Sequence, residues 1–160
     1  MGWDAQSAVS TGVQLFYRIA SGMTTAKFSE ILDGYEFCAL ADLMDTQAFV
    51  SLERGTVHIV SGDLELDQEL PEDIETGPYL ALPGKRELDL GWDLAMEFSE
   101  KYLQNDAETV RGFFRRRGAY ARFKEFLECR GQLAAWFEFE RSATESRLRQ
   151  WCGDHGIDLV

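Results

Sequence analysis

The sequence predicts an α+β fold, a small antiparallel sheet packed against a C-terminal helical bundle, on two observations about its apolar residues. Around Phe49–Val60 they alternate with a period near two, as in strands, and after Leu88 they recur every three to four residues, as in helices. The length of 160 residues, 45% of them hydrophobic, suits one globular domain with its own core.

The elements follow in order along the chain. Residues 1–25 are rich in Ser, Thr, Gly and Ala and read as a leader or loosely attached arm, with an integral strand or helix as the alternative; residues 26–160 read as a single α+β domain. Phe28, Ile31, Leu32 and Tyr35 stand at i, i+3, i+4 and i+7, an amphipathic helix that Thr24 or Thr25 is placed to cap. Gln47–Glu53 and Thr56–Ser61 read as two strands joined by a two-residue turn at Arg54-Gly55. Asp63–Glu75 holds seven acidic residues and no basic one, and reads as a solvated connection to a short strand, Tyr79–Leu82. Leu90, Leu94, Phe98 and Tyr102 then repeat every four residues. A second C-terminal helix opens at an Asn105 or Asp106 cap and carries Val110, Phe113 and Phe114. Tyr120, Phe123 and Leu127 mark a third that stops at Gly131. Leu133, Trp136, Phe137, Leu148 and Trp151 line a long last helix ending at Gly153.

Composition narrows the class of function. The net charge of −12 disfavours nucleic acid and anionic membranes as a whole-molecule average. That average is uneven: residues 1–104 hold 6 Lys/Arg against 19 Asp/Glu, and residues 105–160 hold 10 against 9. No apolar run reaches the ~20 residues that cross a bilayer, so no membrane association is expected. Cys38, Cys129 and Cys152 lack the spacing of a disulfide framework, which favours reduced thiols in a cytoplasm.

Three segments together resemble the bacterial family known as uncharacterised protein family 0158. Tyr79-Leu80-Ala81-Leu82-Pro83 resembles its aromatic-x-x-Leu-Pro strand end. Arg115 through Glu125 is similar to its Arg-Gly-x-Gly-Ala-Phe-x-x-Phe-Lys-Asp run, with Arg116 where that pattern has Gly. Ala135–Phe139 with Trp151 and Gly156-Ile157 resembles its closing helix. Glu53–Thr56 lacks the family's Thr-Gly-Glu turn. The likeness covers about residues 26–159 and implies the fold; the family has no established activity to carry over.

The segment Arg111–Lys124 is the chemical outlier, with six cations and no acid. If one helix runs through it, Arg111, Arg115, Gly118 and Arg122 form one stripe with a glycine at its centre, where an anion can approach the backbone. If Gly118 breaks the helix, the N–H groups of Ala119 and Tyr120 open a new one beside Arg117. Both geometries make Arg115, Arg117, Gly118, Arg122 and Lys124 the candidate anion-binding residues. The competing structural reading pairs these cations with the chain's own acids.

Other constellations are weaker. Cys152 and His155 with Cys129 lack the fourth ligand of a structural zinc site, so no metal is assigned. Asp93, Glu97 and Glu100 share a helix face, as a carboxylate metal site requires and as many solvated faces do. The two histidines, His58 and His155, have no nucleophile beside them in a recognised motif, and no phosphate-binding loop is present. Trp136, Phe137 and Trp151 fit a core better than a stacking platform.

Three functions follow from these readings. The first is a non-enzymatic binding module holding a phosphate-bearing ligand or nucleic acid at the arginine segment, with no cofactor. The second is an interaction or inhibitor module that engages a basic protein through Asp63–Glu75. The third is a metal-dependent hydrolase. Catalytic residues are unassigned, and the balance leans away from an enzyme.

Overall fold

A computed structural model of the chain describes residues 23–40, 45–62, 66 and 68–160. The fold is α+β: a three-stranded antiparallel sheet, a two-stranded parallel pair, and five helices among the described residues, four of which follow the sheet. The chain forms two compact units, residues 1–84 with 149–160, and residues 85–148. Charge divides with them. The second unit holds 12 Lys/Arg and 12 Asp/Glu; the first holds the other 4 and 16, and so carries the whole net charge of −12.

In the first unit, β1 (Thr24–Ala26) runs into α1 (Phe28–Leu40), followed by β2 (Thr46–Ser51), β3 (Val57–Ser61) and β4 (Tyr79–Ala81). The strand order is β3-β2-β4, with Val50 opposite both Val57 and Leu80. Ala48, Val50 and Leu52 point into the core, as the period of two requires, while Phe49 lies half-buried on the other face. Helix α1 buries Phe28, Ile31, Gly34 and Tyr35. At Gly34 a Cβ would stand 2.9 Å from Val57 Cγ1, so the absence of a side chain lets α1 lie close to the sheet.

Two local expectations change. The β2–β3 connection is longer than two residues: Gly55 N–H donates to Ser51 O, and Ser51 N–H donates to Thr56 O. Gly55 has φ +71°, and a Cβ there would stand 1.9 Å from Thr25 O, so backbone from β1 fills the space a side chain would need. Thr24 and Thr25 do not cap α1. They lie in β1, which pairs in parallel with β5 (Ile157–Leu159), Thr24 opposite Ile157 and Ala26 opposite Leu159. Thr24 Oγ1 donates to Leu52 O and ties this pair to the β2–β3 turn. The end of the expected arm is therefore part of a sheet; residues 1–22 lie outside the described residues.

The second unit contains α2 (Trp92–Tyr102), α3 (Ala107–Phe113) and α4 (Ala119–Cys129). Helix α5 (Leu133–Asp154) contributes residues 133–148 to it and 149–154 to the first unit. Leu94, Phe98, Val110, Phe123, Leu127, Trp136 and Leu148 are fully buried. Trp136 is their centre, meeting Phe98 edge-on at 5.3 Å and Phe123 at 4.9 Å. Such contacts add to the burial of large apolar surface. Arg147 braces the approach to α2: its guanidinium donates to Leu88 O at 2.9 Å, to Asp89 O, and to Glu97 at 3.0 Å. Phe137 is exposed and Trp151 only half-buried, so the apolar stripe of α5 is narrower than its sequence suggests. No helix among the described residues is long and apolar enough to cross a membrane.

Candidate anion site at the α3–α4 turn

The arginine segment is not one helix. Helix α3 ends at Phe113, and Gly118 adopts the left-handed conformation, φ 73° and ψ 19°, as the N-cap of α4. An L side chain is strained there, which explains a glycine at this position although the space around it is open. A glycine cap supplies no side-chain acceptor, and the first backbone bond back to the cap runs from Arg122 N–H to Gly118 O at 3.2 Å. The N–H groups of Ala119, Tyr120 and Ala121 are therefore left to solvent or a ligand, at the positive end of the helix dipole.

Arg115, Arg116 and Arg117 occupy the turn before this cap, and Arg122 lies in the first turns of α4; all four are exposed. None of them forms an ion pair among the described residues. Their neighbours do: Arg111 pairs with Glu108, and Arg130 reaches Asp106 at 3.1 Å. Arg115, Arg117 and Gly118 precede the start of α4, and Arg122 lies one turn into it. Lys124, further along α4, lies with its Nζ 5.0 Å from the centroid of the Tyr120 ring.

Tyr120, one of the residues that mark α4 in the sequence, has a polar role as well. Its hydroxyl donates to the Glu140 carboxylate and accepts from Trp136 Nε1 at 3.2 Å. Lys85 Nζ sits 4.5 Å from its ring centroid. Burial first, and then the Glu140 bond and charge, raise the Tyr120 phenol well above its ordinary value. The hydroxyl therefore stays protonated and serves as a fixed link between α4 and α5. No signal in the sequence singles out this pairing, because its partners stand 16 and 20 residues away.

The remaining candidates have ordinary structural roles. Trp136 is core. Glu97 accepts from Arg147, and among the described residues no group of three His, Cys, Asp or Glu is placed to hold a metal ion. His155 donates its Nδ1–H to Trp151 O at 2.8 Å, and His58 Nε2 lies 3.1 Å from Thr56 Oγ1. Burial pushes the Cys152 thiol up to about 11 and raises that of Cys38, so neither is an activated nucleophile. Of the acidic connection, Glu69, Glu72, Asp73 and Glu75 are exposed, with Asp73 accepting from the Tyr79 hydroxyl at 3.2 Å. Gln68 binds both the N–H and the carbonyl of Ile59, covering part of the outer edge of β3. Compared with protein-family models, with curated proteins and with solved structures, the chain finds no match.

Proposed function

We propose that this chain is a non-enzymatic binding module whose α3–α4 turn, Arg115 and Arg117 with Gly118 and Arg122, holds the phosphate or carboxylate of a ligand. The observation that carries the reading is the exposure of these arginines without an ion pair among the described residues. Crowded like charges repel, so an empty site is a cost to the free protein and an anion relieves it. The free N–H groups at the start of α4 add donors to the guanidinium forks. Three free thiols, Cys38, Cys129 and Cys152, suit a cytoplasmic setting.

Thermal unfolding with and without inorganic phosphate at constant ionic strength tests the proposal. Phosphate should raise the melting temperature of the wild type by mass action and leave the Arg115→Ala/Arg122→Ala variant unmoved. Without phosphate, that variant should be as stable as the wild type or more so. An equal rise in both proteins, or none in either, overturns the proposal.

A second reading has its own support. The first unit carries the entire net charge of −12, with Glu69, Glu72, Asp73 and Glu75 exposed on one connection. A basic protein partner would engage this segment, and its binding would weaken steeply with added salt.

A further inference from the structure

We infer that the outer edge of β4 takes up an extended, basic peptide as a fourth strand of the antiparallel sheet. This inference rests on the second reading above, and adds the backbone surface that would hold the basic partner.

The register of β2 and β4 decides which backbone groups face outward. Val50 stands opposite Leu80, Leu52 N–H donates to Pro78 O at 2.8 Å, and Leu82 N–H donates to Ala48 O at 2.8 Å. Pro78, Leu80 and Leu82 therefore turn their backbone groups toward β2, and Tyr79 and Ala81 turn theirs away. The Tyr79 N–H is used within the chain, donating to Gly77 O at 2.9 Å. The Tyr79 carbonyl and both backbone groups of Ala81 have no partner among the described residues, where β2 is the one strand that pairs with β4.

The opposite edge of the sheet is treated differently. There the alternation turns the Ile59 N–H and carbonyl outward from β3, and the Gln68 amide binds both, as a neighbouring strand would. Folds shield such groups because an open edge recruits other chains. One edge is thus partly closed by the chain's own side chain, and the other presents a donor between two acceptors. An extended peptide reads that pattern through its main chain.

Charge selects the occupant. The connection into β4 exposes Glu72, Asp73 and Glu75, and Asp73 is held at the strand by accepting from the Tyr79 hydroxyl at 3.2 Å. Partial burial first, then the charge and hydrogen bond of Asp73, raise the Tyr79 phenol; Arg54 opposes them and Glu53 adds to them. Two acids therefore act at the start of β4. A second copy of the chain would set −12 against −12, whereas lysine or arginine side chains on an added strand meet these carboxylates.

The test uses the full chain. Eight-residue peptides in which lysine alternates with threonine or valine are titrated by calorimetry, beside fully N-methylated copies that keep every charge and lose every amide donor. The unmethylated peptides should bind about tenfold more tightly or better, the worth of the hydrogen bonds to Tyr79 O and Ala81 O. Equal affinity overturns the inference and leaves the acidic-face reading standing; binding by neither overturns both. In hydrogen exchange the Ala81 amide should be fast in the free chain and slowed by peptide. An Ala81 amide already protected in the free chain overturns the inference, and a dimer in sedimentation would then assign the edge to a second copy. Ala81→Pro removes the outward N–H at a position where edge strands tolerate proline, and should weaken the peptide about tenfold while unfolding remains cooperative. Should that variant fail to fold, the methylated peptides carry the test with the wild type. Glu72→Gln/Glu75→Gln should weaken both kinds of peptide alike.

Discussion

Tyr120→Phe removes a single oxygen and tests the link between α4 and α5. In the wild type that oxygen accepts from Trp136 Nε1 at 3.2 Å and donates to Glu140. Trp136 is fully buried, so its indole N–H loses its partner where water cannot replace it. An orphaned buried donor costs about 1–3 kcal/mol. Glu140 is only half-buried and regains water, so its share is small. A net loss of about 2 kcal/mol is expected, or roughly 4–8 °C in melting temperature for a chain of this size. The effect should also depend on pH. Unfolded tyrosine titrates near 10, and the folded Tyr120 is raised above it, chiefly by burial. As pH rises past about 10, the unfolded chain releases a proton that the folded chain retains, and wild-type stability falls. The phenylalanine variant has no such proton, so the gap between the two proteins should narrow from pH 8 to pH 10.5. Tyr79 is raised as well, but it is present in both proteins and cancels. Urea unfolding at several pH values measures the gap. A loss below about 0.5 kcal/mol at neutral pH, or a gap that stays constant into the alkaline range, would refute the hydroxyl's placement.

Three further outcomes follow from burial and backbone geometry. Trp136→Ala should cost about 3–5 kcal/mol in chemical denaturation, and Trp151→Ala clearly less, since only the first is fully buried. Gly118→Ala should cost about 1–2 kcal/mol, because only its φ is strained; Gly55→Ala should cost more, because its Cβ would also collide with Thr25 O, and melting temperatures of the two variants rank them. A chain beginning at residue 23 should unfold cooperatively, whereas one beginning at residue 27 lacks β1 and should lose protection of the β5 amides in hydrogen exchange.

Period and punctuation were enough for the fold class. The alternation through Val50 and the four-residue spacing of Leu94 and Phe98 report which face is buried, and burial is what the structure repeats. The β1–β5 pair was illegible because each strand has three residues and its partner lies at the other end of the described chain. A turn has no such distance problem, yet the one at Ser51–Thr56 was misjudged. Its length depends on the Thr25 backbone that occupies the inner side of Gly55. At the candidate site, the sequence showed the arginines and the glycine but not their geometry. A continuous helix would need helical dihedrals from Phe114 through Gly118; the chain instead leaves the helix at Phe113, and Gly118 takes a left-handed φ of 73° as readily as a helical one. The Tyr120 link is a tertiary property with no local pattern.

The pairing of β1 with β5 also imposes an order on biosynthesis. Domains usually close from the N-terminus as the ribosome proceeds, at about 5–20 residues per second. Here the partner of Thr24–Ala26 is translated only after every residue of the 85–148 unit has been made. The nascent first unit therefore waits, on the order of ten seconds, with one strand lacking its mate. The helices around Trp136 have all the chain they need once Leu148 is made, nine residues before Ile157. The unit that starts first is the one that finishes last, and the interval in between is when its unpaired strand edge is open to a chaperone or to a wrong neighbour.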